Sequence, residues 1–350
     1  MPLSPVDVVS PAFERMKRQL FNPFRWGQWF RLALVGFLAG EIGQSGGGTA
    51  GIPFNLGASF PRPNKFQVPS PGGEPFFFVA ILIGVLLIAI VAVLLTYVGS
   101  RMRFVLFDAV VEGECRIRDS WGRRGAPAFR YFVFQILFAL TGFISVAALI
   151  GLPILAALTG GLFQNASQHI VLLVLGGIVL GGLFLMLLFT LVLVQVLTKD
   201  FVVPQMALED VSVSDGWSRL WSFLKADKVG YAGYIGMKIV LRIAASIVLG
   251  IMGFIALLLI LIPFGGIGLI GVLAGRAAGL EWNPLTIAIA IVFGTLAVLA
   301  LILLGALISV PAVVFFPAYS MYFFAERYPP LHALLYPRAP EPDLSSPSIP

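Results

Sequence analysis

Residues 170–198 read IVLLVLGGIVLGGLFLMLLFTLVLVQVLT and contain no Asp, Glu, Lys or Arg. An uncharged apolar run of this length is typical of a membrane-spanning helix, because about 20 helical residues cross a 30 Å hydrocarbon core. The run is apolar on every side, whereas a strand of a membrane barrel alternates apolar and polar residues. It therefore predicts a transmembrane α-helix, whose backbone hydrogen bonds are satisfied internally.

Other parts of the chain have the same character. Four further uncharged stretches occupy residues 76–98, 131–164, 243–275 and 284–325. Charged residues make up 11% of the 350 residues, against about 25% in an ordinary soluble domain. A shorter apolar stretch, residues 32–43, follows a basic and aromatic segment and predicts one more span, with Glu41 exposed at its outer end. The sequence thus predicts an all-α fold, a polytopic helical bundle with about six transmembrane helices.

Lys and Arg residues are distributed unevenly among the connecting segments. The N-terminal segment carries five of them, segment 99–130 seven, segment 198–230 four and the C-terminal tail two. The opposite side carries Arg62, Lys65 and Arg276. Because basic residues concentrate in cytoplasmic loops, both termini are predicted to lie in the cytoplasm.

An internal repeat supports this arrangement. Phe104, Glu112, Asp119, Trp121 and Arg123 recur in the same order as Phe201, Glu209, Asp215, Trp217 and Arg219. The offset is 97 residues for Phe and Glu and 96 for Asp, Trp and Arg. We interpret the chain as three copies of an interfacial amphipathic helix followed by two spans, over about residues 12–110, 119–210 and 215–325.

The repeats predict one integral membrane domain over residues 1–328. Residues 44–75 are rich in Gly, Pro, Ser and Asn and predict a flexible extracytoplasmic loop. Residues 329–350 are rich in Pro and Ser and predict a disordered tail. Whether residues 264–280 form a re-entrant loop stays open, and Pro153 and the Gly-rich turn at 264–271 are the expected positions of helix breaks.

Two groups of residues are candidate sites at the interface. Lys238 and Arg242 are four residues apart and share a helix face, so they contact an anionic headgroup or substrate, or they snorkel from the helix end. The second group belongs to the repeated segments: Arg123 and Arg219 are candidate phosphate contacts, and Trp121, Trp217, Asp119 and Asp215 are candidate interfacial anchors.

No catalytic pattern is visible in the sequence. His169 and His332 are the two histidines, Cys115 is the single cysteine, and no metal-ligand spacing occurs. The G-x-G-x-x-G pattern at 266–271 lies in an apolar context without a preceding strand, so it predicts a turn or close packing. Glu112, Glu209 and Asp215 are the remaining candidates for a catalytic acid. We therefore predict that the protein is not an enzyme and uses no cofactor.

These observations leave two functional hypotheses. The first is a membrane-embedded partner, or a protein that handles lipids or small molecules, with anionic lipids, a protein partner or a second copy as its contacts and no nucleic acid. The alternative is a transporter or permease component with a site between the repeats, which requires a polar cavity and broken helices near the midplane.

Several segments resemble known bacterial membrane proteins. FVVPQMALE (201–209) and DGWSRLWSFL (215–224) resemble the membrane domain associated with glycerophosphoryl diester phosphodiesterases and its uncharacterised relatives. FERMKRQLFNPF (13–24) and WFRLALVGFLAG (29–40) resemble the opening of such uncharacterised proteins. The resemblance implies a multi-pass helical fold in a bacterial inner membrane. It does not imply phosphodiesterase activity, which belongs to a separate soluble barrel.

Overall fold

The computed structural model describes residues 4–41, 75–161, 169–277 and 284–336. All regular elements of these residues are helical, which confirms the predicted all-α class. The helices are α1 (Val9–Phe21), α2 (Trp26–Leu38), α3 (Pro75–Glu112), α4 (Ile117–Arg123), α5 (Gly125–Thr159), α6 (Ile170–Leu197), α7 (Val203–Glu209), α8 (Val213–Ala226), α9 (Lys228–Ala277), α10 (Pro284–Ala325) and α11 (Pro329–Leu335). A π-helical turn, Thr198–Val202, joins α6 to α7.

Five helical segments are long and apolar enough to cross a membrane. They are Val79–Glu112, Gly125–Thr159, Ile170–Glu209, Lys228–Gly271 and Ile287–Ala325. At most 6% of the residues in the most apolar window of each segment are buried by the described protein. Their side chains therefore face outwards, as expected for helices surrounded by lipid, and the five segments indicate a membrane protein.

The sixth predicted crossing, residues 32–43, is not among these segments. Helix α2 has 13 residues, or about 20 Å, which is shorter than a 30 Å hydrocarbon core. It ends because Gly40 adopts a left-handed conformation (φ 72°) and the Glu41 N–H donates to the Gly36 carbonyl at 2.9 Å. This is the Schellman arrangement that terminates many helices.

Three other local predictions differ from the structure. Helix α9 continues through Pro263 and the Gly-rich residues 264–271, so of the two predictions for this segment, a turn or close packing, the turn is wrong. Helix α5 likewise contains Pro153 within its length. The segment predicted as a disordered tail begins with α11, whose Leu331 is fully buried. The predicted loop at 44–75 lies almost wholly outside the described residues, as does the tail from residue 337.

The chain divides into two compact units, and the first comprises residues 1–121 and 227–350. Its core lies at the charged ends of the long helices. There the end of α3 and the end of α10 pack with α1 and α2. Fully buried side chains include Leu20, Leu32, Phe104, Tyr319 and Phe323. Packing is thus concentrated beyond the apolar segments, where side chains are shielded from both water and lipid.

The second unit comprises residues 122–226. The π-helical turn and α7 pack against α8, with Phe201, Met206 and Leu220 fully buried. Helix α8 approaches so closely that a Cβ on Gly216 would lie 2.7 Å from Val202 Cγ1. Ser212 caps the first turn of α8, because its hydroxyl accepts from the Asp215 N–H at 3.2 Å and donates to the Asp215 carboxylate at 2.6 Å.

Candidate functional site

Arg242 lies on α9 immediately before the uncharged run 243–275. Antiparallel packing of α9 against α10 positions it, with the Tyr234 and Tyr319 rings stacked at 5.4 Å. The Arg242 guanidinium lies 5.6 Å from the centre of the Phe316 ring. Its Nε is buried without a hydrogen-bond acceptor, and no residue in the described part of the chain forms an ion pair with it. The site therefore offers an uncompensated cation at the edge of a span.

Lys238 lies one turn before Arg242 but has a different environment. It is 4% exposed, and its ammonium donates to the Tyr234 hydroxyl at 3.1 Å. The same ammonium lies 5.4 Å from the centre of the Tyr234 ring. Lys238 is therefore buried, so Arg242 is the more accessible to a ligand of the two cations on this helix face.

A second arginine at the edge of a span was missed by the sequence analysis. Arg101 donates to the Trp121 carbonyl and to the Tyr97 hydroxyl, both at 2.9 Å. Its guanidinium lies 5.1 Å from the Trp121 ring centre and 5.4 Å from that of Tyr97. The position of Tyr97, four residues before Arg101 on one helix face, is the sequence signal that indicates this pair.

These arginines lie close to the level at which the apolar segments end. The Leu38 carbonyl of α2 contacts α3 at Gly99, immediately after the uncharged stretch 76–98. Arg101 lies two residues further along, about 3 Å by helical rise. The headgroup layer extends about 5–7 Å beyond the hydrocarbon core. Arg101 and Arg242 therefore each lie within three residues of an end of an uncharged apolar stretch.

Glu41 is not exposed at the outer end of a span, and that prediction is wrong. It is 3% exposed and accepts a hydrogen bond from Arg103 at 3.1 Å. Arg103 also donates to the Ala39 carbonyl at 2.7 Å. Because α2 stops at Leu38 and the chain turns at Gly40, Glu41 remains beside the charged end of α3.

The predicted anchors take two distinct positions. Asp119 and Asp215 each lie in the first turn of their helices, α4 and α8. Trp121 packs against Arg101 as described, and the Trp217 indole N–H donates to the Thr198 hydroxyl at 3.1 Å. These contacts are with the protein itself, so both tryptophans fasten a surface helix to the end of a long helix.

The two other predicted phosphate contacts are on the surface of the second unit. Arg123 is exposed at the end of α4. Arg219 is also exposed and pairs with the Glu209 carboxylate. The candidate acids Glu209 and Asp215 are thus engaged with Arg219 and Ser212 respectively. Within the described residues, no group of three or more His, Cys, Asp or Glu side chains is placed to hold a metal ion.

The ionisable groups around Cys115 are outside the spans. Burial raises the pKa of the Cys115 thiol to about 11, with a smaller opposing effect from Arg31. A hydrogen bond from Arg116 lowers the pKa of the neighbouring Glu114, although that carboxyl is exposed to solvent. Since the thiolate is the reactive form of cysteine, Cys115 is a packing residue in this environment.

Comparison with known proteins places the chain in a family without assigning it an activity. No curated protein and no solved structure matches it. Nothing in these comparisons links it to the phosphodiesterase membrane domain, so that part of the resemblance stays a prediction. One family profile matches residues 3–334, nearly the whole chain. The protein therefore belongs to this family, the family of unknown function DUF7544.

Proposed function

We propose that this protein is a non-enzymatic, multi-pass membrane protein that binds anionic lipid headgroups at the charged ends of its spans. The observation that carries the proposal is the position of Arg242, immediately before the uncharged stretch 243–275 and without a carboxylate partner among the described residues. Charge within a membrane segment is costly unless it is paired. A lipid phosphate supplies the missing partner.

The chemistry of the guanidinium suits a phosphate. Arginine presents five N–H donors in a planar arrangement that binds phosphate oxygens in pairs. Phe316 lies 5.6 Å from the Arg242 guanidinium, within the range in which an aromatic ring attracts a cation. A basic side chain near an anionic membrane surface contributes about 1 kcal/mol.

We further propose six crossings with both termini in the cytoplasm of a bacterial cell, in its inner membrane. The placement of the basic residues supports an even number of crossings, because the segments at both ends of the chain are rich in Lys and Arg. The described residues contain five segments long enough to cross, so an even count requires one more.

Local geometry supports the repeat that we infer from the sequence. Gly113 and Asp210, 97 residues apart, both adopt left-handed conformations, with φ of 84° and 54°. An arginine side chain donates to the carbonyl of Val110 in the first copy and of Ala207, again 97 residues later, in the second. The two helices thus end at equivalent positions with the same backbone conformation and the same type of arginine contact. This similarity supports a common repeat unit.

The transporter alternative requires broken helices near the midplane of the membrane. Helices α5 and α9 instead run unbroken through Pro153 and Pro263, the two expected break positions. This continuity favours binding of lipids at the interface over a site between the repeats. A protein partner or a homo-oligomer stays a prediction.

Lipid binding to the purified protein tests the proposal. We expect Arg242→Gln to weaken binding of phosphatidylglycerol about fivefold, since one interfacial charge contributes about 1 kcal/mol. Native mass spectrometry in a neutral detergent, with phosphatidylcholine as the reference lipid, measures the difference. Arg118→Gln is the matched control, because Arg118 is exposed on α4 outside the spans. Equal phosphatidylglycerol binding by Arg242→Gln and the wild type would refute the proposal.

A further inference from the structure

Helix α2 exposes large apolar side chains along one face. Trp26, Phe30, Leu34 and Phe37 are each between 45% and 64% exposed. They follow one another at intervals of three or four residues, which places them on one side of the helix. The other side of α2 packs on α3 and α10. A row of exposed apolar side chains of this size marks an interaction surface. We call these four residues the α2 stripe.

Arg31 lies at the edge of the α2 stripe. Its side chain is exposed, and it donates one long hydrogen bond, of 3.5 Å, to the Cys115 carbonyl. The carboxylate next in the chain to that carbonyl, Glu114, is already shared by Arg25 at 3.4 Å and Arg116 at 3.0 Å. Arg31 therefore has no carboxylate partner among the described residues. An apolar stripe thus ends beside a cation that can accept an anionic ligand.

The end of α2 lies level with the end of an apolar segment. The Leu38 carbonyl contacts Gly99, the first residue after the uncharged stretch 76–98. On that stretch, Leu94 and Leu95 are more than half exposed, as expected for a helix surrounded by lipid. They precede Gly99 by about one helical turn. Exposed apolar side chains on α3 thus continue to the level at which α2 ends.

A contact with α10 indicates a similar level for the apolar boundary. Gly36 packs on Val313 of α10. The Arg242 guanidinium lies 5.6 Å from the ring of Phe316, three residues further along the same helix. Arg242 immediately precedes the uncharged stretch 243–275. Three helical residues correspond to about 4.5 Å, so this boundary also lies about one turn from Gly36.

We propose that the outer face of α2 binds an anionic phospholipid, with its phosphate at Arg31 and an acyl chain along Leu34 and Phe37. Arg31 precedes Gly36 by five residues, about 7.5 Å along the helix. The headgroup layer extends about 5–7 Å beyond the hydrocarbon core, and the flexible stem of an arginine spans the difference. One phospholipid therefore supplies both an anion for the guanidinium and a cover for the apolar side chains.

The chemistry of the two parts agrees with this ligand. A guanidinium binds phosphate oxygens in pairs, and apolar side chains beside it exclude a small hydrophilic anion as the complete ligand. Phe30 and Trp26 continue the α2 stripe away from the apolar boundary, where aromatic side chains favour the headgroup region. This site is separate from Arg242, and the inference does not rest on lipid binding there.

Quenching of a fluorescent label by brominated lipids tests the proposal on the full chain in phosphatidylcholine nanodiscs. A bimane label on Leu34→Cys reports contact with acyl chains, and the buried Cys115 provides a low labelling background. Equal amounts of phosphatidylglycerol or phosphatidylcholine with brominated chains are added in separate samples. We expect the site to prefer phosphatidylglycerol about fivefold, the factor that one basic charge near a membrane surface contributes.

Substitutions assign this preference to the arginine. We expect Arg31→Gln to bring the affinities for the two lipids close to equality, whereas Arg31→Lys keeps the charge and most of the preference. Lys225→Gln removes a positive charge from the exposed side of α8 and is expected to leave the preference unchanged. A label on Ile88→Cys, exposed near the middle of the stretch 76–98, should be quenched equally by both lipids.

Other results would overturn the proposal. If neither lipid quenches the label on Leu34→Cys while both quench the label on Ile88→Cys, lipid does not cover the α2 stripe. Equal quenching of the Leu34→Cys label by the two lipids means that acyl chains contact the stripe without a phosphate at Arg31. Quenching that falls as the number of protein copies in each nanodisc rises means that a second copy covers the stripe.

Discussion

Arg327 donates two hydrogen bonds to the same carboxylate oxygen of Asp227, from Nη2 at 2.6 Å and from Nε at 3.1 Å. The other carboxylate oxygen accepts the Gly230 N–H at 2.9 Å and so caps α9. The Arg327 guanidinium also lies 4.0 Å from the centre of the Phe323 ring. One carboxylate thus joins the start of α9 to the end of α10, 100 residues later in the chain.

Substitution of Asp227 separates its two roles. Asn at this position keeps an oxygen for the Gly230 N–H but loses the charge that pairs with Arg327, whereas Ala loses both. We expect Asp227→Ala to be less stable than Asp227→Asn by about 1 kcal/mol, the usual contribution of a helix cap. Thermal unfolding in detergent measures the order. Equal melting temperatures for the two variants would show that capping contributes nothing here.

Stability is also expected to depend on the protonation of Asp227. The hydrogen bond from Arg327, followed by that from the Gly230 N–H, holds the pKa of this carboxyl below its ordinary value of 3.8. A carboxyl with a lowered folded-state pKa stabilises the fold fully above its unfolded-state pKa, and this contribution is lost as the pH falls through the folded-state value. The melting temperature of the wild type should therefore exceed that of Asp227→Asn at pH 6 and approach it below pH 4.

Measurement of both melting temperatures between pH 3 and pH 6 checks this sign. The Asn variant is the appropriate control because it shares every other titrating group. A difference that stays constant over this range would mean that the Asp227 carboxyl has the same pKa in the folded and unfolded states.

The long apolar segments were predictable because a bilayer imposes a length and a composition on any helix that crosses it. That constraint operates on each segment alone, so residues 170–198 predict α6 without knowledge of their neighbours. Pro153 and Pro263 misled the prediction, since proline usually breaks a helix in water. In a membrane helix, the backbone carbonyl that loses its hydrogen bond to proline finds other donors within the protein, and the helix continues.

The candidate site was less predictable because it depends on contacts between distant segments. Arg242 was identified from its place within a span. The pairing of Glu41 with Arg103, 62 residues later, depends on the exact residue at which α2 ends. Helix ends are set by a single capping residue, here Gly40. Neither composition nor periodicity shows which of several glycines in the segment has that role.

The buried pair provides a further prediction. The side chains of Glu41 and Arg103 are 4% and 10% exposed. Removal of one charge from a buried pair leaves the other uncompensated and typically costs about 3–5 kcal/mol. We expect Glu41→Gln to lower the melting temperature strongly. Glu14→Gln is the control, since Glu14 pairs with Arg18 in solvent, where such a pair contributes little. Similar small losses from both variants would contradict the assignment.

The last prediction concerns the contact between α2 and α10. A Cβ on Gly36 would lie 2.6 and 2.7 Å from the two methyl carbons of Val313, which is fully buried. Valine has one strongly preferred rotamer in a helix and cannot swing aside. We therefore expect Gly36→Ala to destabilise the protein by about 1–3 kcal/mol, the usual cost of an overpacked core.

A second substitution distinguishes this contact from a general effect of alanine. Val313→Ala removes the obstructing methyl groups, so the Gly36→Ala and Val313→Ala double variant should be more stable than the sum of the two single effects predicts. Gly84→Ala on α3 is the control for helix propensity, because nothing lies within 4 Å of the added carbon. Additive losses in the double variant would mean that α2 does not pack on α10 at this point, and the buried position of Glu41 would then lose its support.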